Sequence, residues 1–331
     1  MARVGGMPLP TITDDRALGG AKIERSLRFD RGDTSYLTRT FSSAGNRRTF
    51  TFSSWVKLSG TSQGNSGAFF SANKSGVGFA KFMFRDDGRI ELNTSETGLS
   101  DSSQLRTTAY FRDTDSWYHV VAAYDTTQGT SSDRVKLYVN GTQITDFGTE
   151  TYPPQDHEVS INVDDVHQIG NQAGASNYFD GYLTEINFID GQALDPSYFG
   201  FTSQNGTWLP KKYTGGNYGT NGFYLDFLDN SSQAALGYDK SGNGNDFTVE
   251  NITVSTTRTN DSFLDTPTNN FPTLNANGLY HVHSTNSNTA EGNLRYNCTS
   301  DNQGQVAATM SMPTSGKWYF EAEVISNANF A

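Results

Sequence analysis

The chain has 331 residues, of which 34% are hydrophobic and 13% aromatic, with 16 Tyr, 22 Phe, 33 Gly and a single Cys, Cys298. That is enough chain for a sizeable core or two domains, too aromatic for a disordered segment, and one thiol too few for an intrachain disulfide. A net charge of −11 excludes the phosphate backbone as main partner, and no apolar run reaches the length of a signal peptide or a membrane span, so neither nucleic acid nor membrane insertion is expected.

Residues 1–24 carry Gly5, Gly6, Pro8, Pro10, Gly19 and Gly20 among scattered apolar side chains, with no sustained period. They are predicted to form an extended docking arm on another subunit, anchored by Met7, Leu9, Ile12, Leu18 and Ile23 at about 1.5–3 kcal/mol per buried side chain. Strand signals begin near residue 25. Phe50, Phe52 and Val56 alternate with Thr51, Ser53, Trp55 and Lys57, with a slip at Ser54. Phe79 to Phe84 run into Asp87-Gly88, after which Ile90 and Leu92 alternate, a hairpin signal. Trp117 to Tyr124 is apolar or aromatic on both faces, as a covered central strand requires. Val135, Leu137 and Val139 lead into Asn140-Gly141, the dipeptide that favours a two-residue hairpin turn. Helical periods are almost absent, so residues 25–200 read as one antiparallel β-sandwich of many short strands.

Residues 201–311 shift to Gly and Asn and read as a β and loop region with strand-like pieces at Gly222–Phe227 and Phe247–Val254. In the last part, 312–331, Lys317 to Val324 alternate like a strand with Trp318, Tyr319 and Phe320 beside its edge. Such an edge is an aggregation hazard unless a neighbouring copy covers it, which predicts a homo-oligomer.

The runs SWYHVVAAYD (116–125), VKLYVNG (135–141) and FDGYLTEINFIDGQALDPSYF (179–199) resemble the laminin-G-like branch of the concanavalin A-like sandwich superfamily. Residues 14–57 and 238–269 resemble virion proteins of tailed, especially marine, bacteriophages, and SGKWYFEAEV (315–324) resembles the opening strand of a SPRY-like domain. The resemblance implies an all-β, jelly-roll-like sandwich on a virion, in a tail fibre or capsid fibre, with other virion proteins of tail, portal adaptor or capsid as partners. It implies a trimer, the usual symmetry of such fibres, and possible contact with host surface polysaccharide. A dedicated glycan-binding adhesion module and a glycosidase are the alternatives, since this sandwich hosts both.

No catalytic constellation is evident. Laminarinase-type glycosidases carry a Glu-x-Asp-x-x-Glu strand; the nearest match is Glu185 to Asp190, with Asn187 in the middle and a carboxyl one methylene short at the end. Residues five apart on a regular strand face opposite sides, so both are expected to be structural. His281 and His283 share a strand face but lack a third ligand type, and His119 inside an apolar strand reads as a neutral core residue. No cofactor is required; the acidic turns Asp86-Asp87, Asp113-Thr114-Asp115 and Asp164-Asp165 supply few of the six to eight oxygens that calcium needs, although the resemblance implies calcium at a loop edge. Arg31-Gly32-Asp33 reads as a turn, and Ser241 to Gly244 lacks the Gly-Lys-Ser/Thr of a phosphate loop.

Overall fold

The computed structural model describes residues 19–60, 67–96, 103–257, 259–281, 287–298, 304–312, 314–317 and 319–325. In chain order its strands are β1 (Ser26–Phe29), β2 (Tyr36–Thr40), β3 (Thr49–Leu58), β4 (Gly67–Lys74), β5 (Gly78–Phe84) and β6 (Ile90–Glu96). They continue as β7 (Ser103–Thr107), β8 (Tyr118–Asp125), β9 (Val135–Val139), β10 (Thr142–Ile144), β11 (Phe147–Thr151), β12 (Val166–Ile169) and β13 (Gly181–Asp190). Shorter ones follow: β14 (Gly200–Thr202), β15 (Trp208–Pro210), β16 (Phe223–Leu225), β17 (Thr248–Glu250) and β18 (Ser262–Phe263).

Sixteen of these build two eight-stranded antiparallel sheets, and β14 and β15 pair with each other as a separate hairpin. The first has the order β10-β9-β8-β3-β13-β1-β18 with β16 also on β13; the second runs β11-β7-β6-β5-β4-β12-β2-β17. Asn140 (φ 48°) and Gly141 (φ 78°) both take the left-handed conformation that the β9–β10 turn demands. Inward-facing aromatics fill the space between the sheets: Phe52 stacks on Phe70 at 4.6 Å and Phe50 on Tyr124 at 4.7 Å. Trading any such ring for Ala costs about 3–5 kcal/mol.

Three expectations change. The sandwich does not end at residue 200, because β16, β17 and β18 are strands of its two sheets; at two or three residues each they are too short to show a period in a Gly/Asn-rich stretch. Ile23 is not an anchor on another subunit. It is 2% exposed within its own chain, where its N–H donates to Thr268 Oγ1 and its carbonyl accepts from Thr266 Oγ1, both at 3.0 Å. Met7, Leu9, Ile12 and Leu18 lie outside the described residues, as does Trp318. The strand expected at 317–324 is not formed over its described residues 317 and 319–324. Tyr319 and Phe320 are 79% and 74% exposed; a strand needs a hydrogen-bonding neighbour, and among the described residues none pairs with this segment. Thr51, Ser53, Trp55 and Lys57 form the other face of β3. All four are buried, under a second layer laid over the first sheet by the chain beyond β13: Leu194 N–H donates to Thr51 Oγ1 at 2.7 Å and Lys57 pairs with Asp265 at 2.8 Å.

Candidate binding face

With one sheet roofed by its own chain, the outer surface of the other is where a partner can lie. The core-facing residues of the second sheet, among them Leu37, Ile169, Phe70, Phe82, Leu92 and Leu105, alternate with an outward set. One outward row crosses all eight strands in register: Thr248, Thr38, Gln168, Ser71, Lys81, Asn93, Gln104 and Thr151. Every member is polar. At about 4.8 Å between strands, the stretch from Lys81 to Thr151 on the far side of the buried Ser71 is about 14 Å long, room for a short oligosaccharide.

Loop 171–177 crosses the row at Ser71 and buries it: Ser71 Oγ donates to the Asn171 carbonyl at 2.7 Å and accepts from Ala173 N–H at 2.9 Å. Half-buried aromatics flank it, Phe79 with Lys81 Nζ 5.6 Å from its ring centroid and the tilted pair Tyr36–Tyr178 at 6.1 Å. The next row carries charge. Glu91, 1% exposed, accepts from Arg106 Nε at 2.8 Å and Arg85 Nη1 at 3.2 Å on the same oxygen. Burial lowers the Lys81 pKa, and Arg85 and Arg106 push it the same way while Glu91 opposes them. Three cations thus surround one carboxylate in the middle of the open face of a chain whose net charge is −11. The sequence signal was there in part, as the polar members of alternating strands, but the register that aligns them was not.

The catalytic pair suggested by spacing is not assembled. A bulge between Thr184 and Asn187 turns Glu185 to φ 51° and places its carboxylate on the outer side, accepting from Tyr224 OH at 2.7 Å; burial pushes its pKa up to about 7. Asp190 has the inward parity of Phe188 and accepts from Asn46 N–H at 2.8 Å, Asn162 Nδ2 at 2.6 Å and Asn221 N–H at 3.1 Å. The two carboxylates share no partner and stand on opposite faces, so no acid and nucleophile flank a common bond.

His119 is buried as expected, stacked on Trp55 at 4.9 Å, and burial lowers its pKa to about 3. The His281 side chain and His283 lie outside the described residues. Each acidic turn is absorbed locally: Asp87 pairs with Arg89, Asp113 accepts from Ser116 Oγ and Asp115 N–H, Asp164 pairs with Lys74, and Asp165 accepts from Val166 N–H. Arg31-Gly32-Asp33 is a turn closed on Asp30 Oδ1 by Gly32 N–H at 2.6 Å. At its side, carboxylate oxygens of Asp30, Asp33 and Glu291 lie within 4.8 Å of one another, by a cavity of about 390 Å³ that Arg28 also lines. Arg28 already pairs with Glu291 at 2.9 Å, and three side chains fall short of a calcium shell.

Residues 30–197 match the Laminin_G_3 family model, described as concanavalin A-like lectin/glucanases superfamily. Among solved structures, a heptameric SAP-like pentraxin from Limulus polyphemus is 19% identical, over 54% of this chain and 81% of that one, with a TM-score of 0.39. Domains LG4-5 of the mouse laminin α1 chain are 13% identical over 54% of this chain and 44% of that one, at 0.37. The Ruminococcus gnavus IT-sialidase CBM40 bound to α2,3 sialyllactose is 16% identical over 49% and 85%, at 0.31. No curated protein matches the chain.

Proposed function

From the premise that this chain belongs to the concanavalin A-like lectin/glucanases superfamily, we propose that it is a non-enzymatic binding module that takes a saccharide on the open face of its second sheet. The observation that carries this reading is the asymmetry of the sandwich: the outer face of the first sheet is buried beneath the chain's own later segments, while that of the second presents a polar row that is open from Lys81 through Asn93 and Gln104 to Thr151, with Phe79 at its flank. Lys81, Arg85 and Arg106 favour sugars that carry a carboxylate or sulfate. The opposed placement of Glu185 and Asp190 weighs against hydrolysis.

The likeness of residues 14–57 and 238–269 to phage virion proteins supports a place on a virion, in a tail or capsid fibre, as a homotrimer docked on other virion proteins by residues 1–18. A glycan array holding neutral and acidic oligosaccharides tests the first part, and electron microscopy of virions labelled at this chain tests the second. Binding to acidic glycans is the expected result. An array with no bound glycan, together with sugar release from a soluble polysaccharide, would replace the binding reading with the enzymatic one.

A further inference from the structure

Lys57 stands on β3, at the centre of the first sheet, with its side chain fully buried. Its Nζ has three partners: Asp265 Oδ2 at 2.8 Å, Asn270 Oδ1 at 2.8 Å and the Phe271 carbonyl at 3.0 Å. Asn270 is itself held, its Nδ2 donating to the Asp115 carbonyl at 2.6 Å. Asp265 is held through its other oxygen, which accepts from Trp117 Nε1 at 3.1 Å and Phe271 N–H at 3.3 Å. Tyr182 lies directly across the strand pair from Lys57, and it packs with Trp55 and Trp117 in one buried cluster. An amine, a carboxamide and a carboxyl are thus fixed within contact distance, with the amine and the carboxyl buried against aromatic rings and the carboxamide half-buried at the edge.

We infer that this is a bond-forming site: the Lys57 amine and the Asn270 carboxamide join as an intramolecular isopeptide bond, with Asp265 carrying the protons. A buried ion pair by itself adds little stability and explains neither the carboxamide on the same nitrogen nor its fixed orientation. The chemistry needs an amine beside an electrophile and a base to take its proton, and Asn270 Oδ1 and Asp265 Oδ2 both stand 2.8 Å from Lys57 Nζ. Burial pushes the Asp265 carboxyl up, so it takes a proton readily here.

The step balances within the chain. Lys57 hands one proton to Asp265 Oδ2, and the freed lone pair on Nζ attacks Cγ of Asn270, forming the new C–N bond. Asp265 passes its proton to the departing Nδ2 and takes up the proton that the attacking nitrogen sheds. The Cγ–Nδ2 bond breaks and ammonia leaves. The product is a secondary amide, and no oxidant or reductant takes part. It ties the centre of β3 to a segment 213 residues later, so the outer layer over the first sheet becomes covalently attached to it.

The test is the mass of the purified, denatured full-length chain, followed by digestion and sequencing of the peptides. The expected result is a chain lighter by one ammonia, a branched peptide joining residues 57 and 270, and full mass in Lys57→Arg, Asn270→Ala and Asp265→Asn. A wild-type chain at full mass overturns the inference whatever the variants do. So does an ammonia deficit without the branched peptide, the signature of Asn cyclisation, and so does a deficit that persists in Asn270→Ala.

Discussion

Trp208 Nε1 donates to His119 Nδ1 at 3.0 Å, which leaves Nε2 of the same ring as the donor to Ser53 Oγ at 2.9 Å. The imidazole therefore uses both nitrogens as a neutral ring, and one hydrogen-bonded chain links the β14–β15 hairpin to β3 through β8. A proton on Nδ1 would set two donors against each other.

Acid should loosen this joint. Burial lowers the pKa of His119 to about 3 and that of His167 to about 4, so below the unfolded value near 6.5 the unfolded chain binds protons that the folded chain refuses. Each ring's contribution is complete above about pH 6.5 and is lost as pH falls toward its folded value, at about 1.4 kcal/mol per pH unit. Buried carboxyls such as Glu185, raised to about 7, act in the opposite sense. The histidine share is read as the difference in urea-unfolding free energy between wild type and His119→Gln, from pH 7 to pH 4. That difference should shrink as pH falls; a constant difference would contradict a neutral His119.

Gly141 should resist substitution for two reasons at once. Its φ of 78° is left-handed, and an added Cβ would meet Trp208 ring carbons at 2.4 Å. Gly141→Ala is expected to cost about 1–3 kcal/mol and to shift tryptophan emission to the red as the indole leaves its seat. Unaltered emission and unfolding midpoint would mean that the indole is not held there.

For Glu185→Gln the expected effect is on stability, with its sign set by pH. The raised folded pKa of about 7 means the wild type is fully favoured below the unfolded carboxyl value and loses stability as pH rises through 7. Melting temperatures at pH 5 and pH 9 should show the variant gaining on wild type at the higher pH. A gain at pH 5 instead would reverse the protonation assigned here.

Binding should respond to Lys81. Loss of this central cation in Lys81→Ala is expected to weaken an acidic oligosaccharide by about tenfold, or about 1.4 kcal/mol, with the difference fading at high salt. Titration calorimetry at two salt concentrations reads both. Equal affinities for wild type and variant would move the ligand off this face.

Ile23→Ala should destabilise the isolated chain by about 2–5 kcal/mol, the cost of a large-to-small change in a closed core. A chain lacking residues 1–18, in contrast, should melt like the full length and fail only in incorporation into particles. Urea unfolding of the two variants side by side distinguishes a side chain of the sandwich from one of a docking arm.

The sequence was most legible where one strand and its turn suffice. The β5–β6 and β9–β10 hairpins and the doubly covered β8 follow from alternation and from Asp87-Gly88 and Asn140-Gly141. What escaped depends on distant partners. Ser53 and Lys57 look like a solvent face until Asp265, Asn270 and the β14–β15 hairpin cover them. β16 is three residues long, and its place on β13 comes from tertiary pairing rather than from propensity. The polar row is invisible for a similar reason: Lys81, Asn93 and Gln104 align only once two hairpins have fixed their registers.

The covering of the first sheet has a consequence for the order of events during synthesis. Arg28 on β1 meets Asp261 across 233 residues, and Lys57 meets Asp265 across 208. A ribosome that has released residues 1–200 has delivered nearly every long strand, yet those two cations lack their Asp261 and Asp265 partners and the aromatic cluster beside them is bare. The nascent chain waits in that state until the residue-261 region emerges, so completion is late, non-local and slow relative to a fold of hairpins alone. Translation speed and holdase capacity in the producing cell, rather than the strength of the core, then set how much of the chain reaches its finished form.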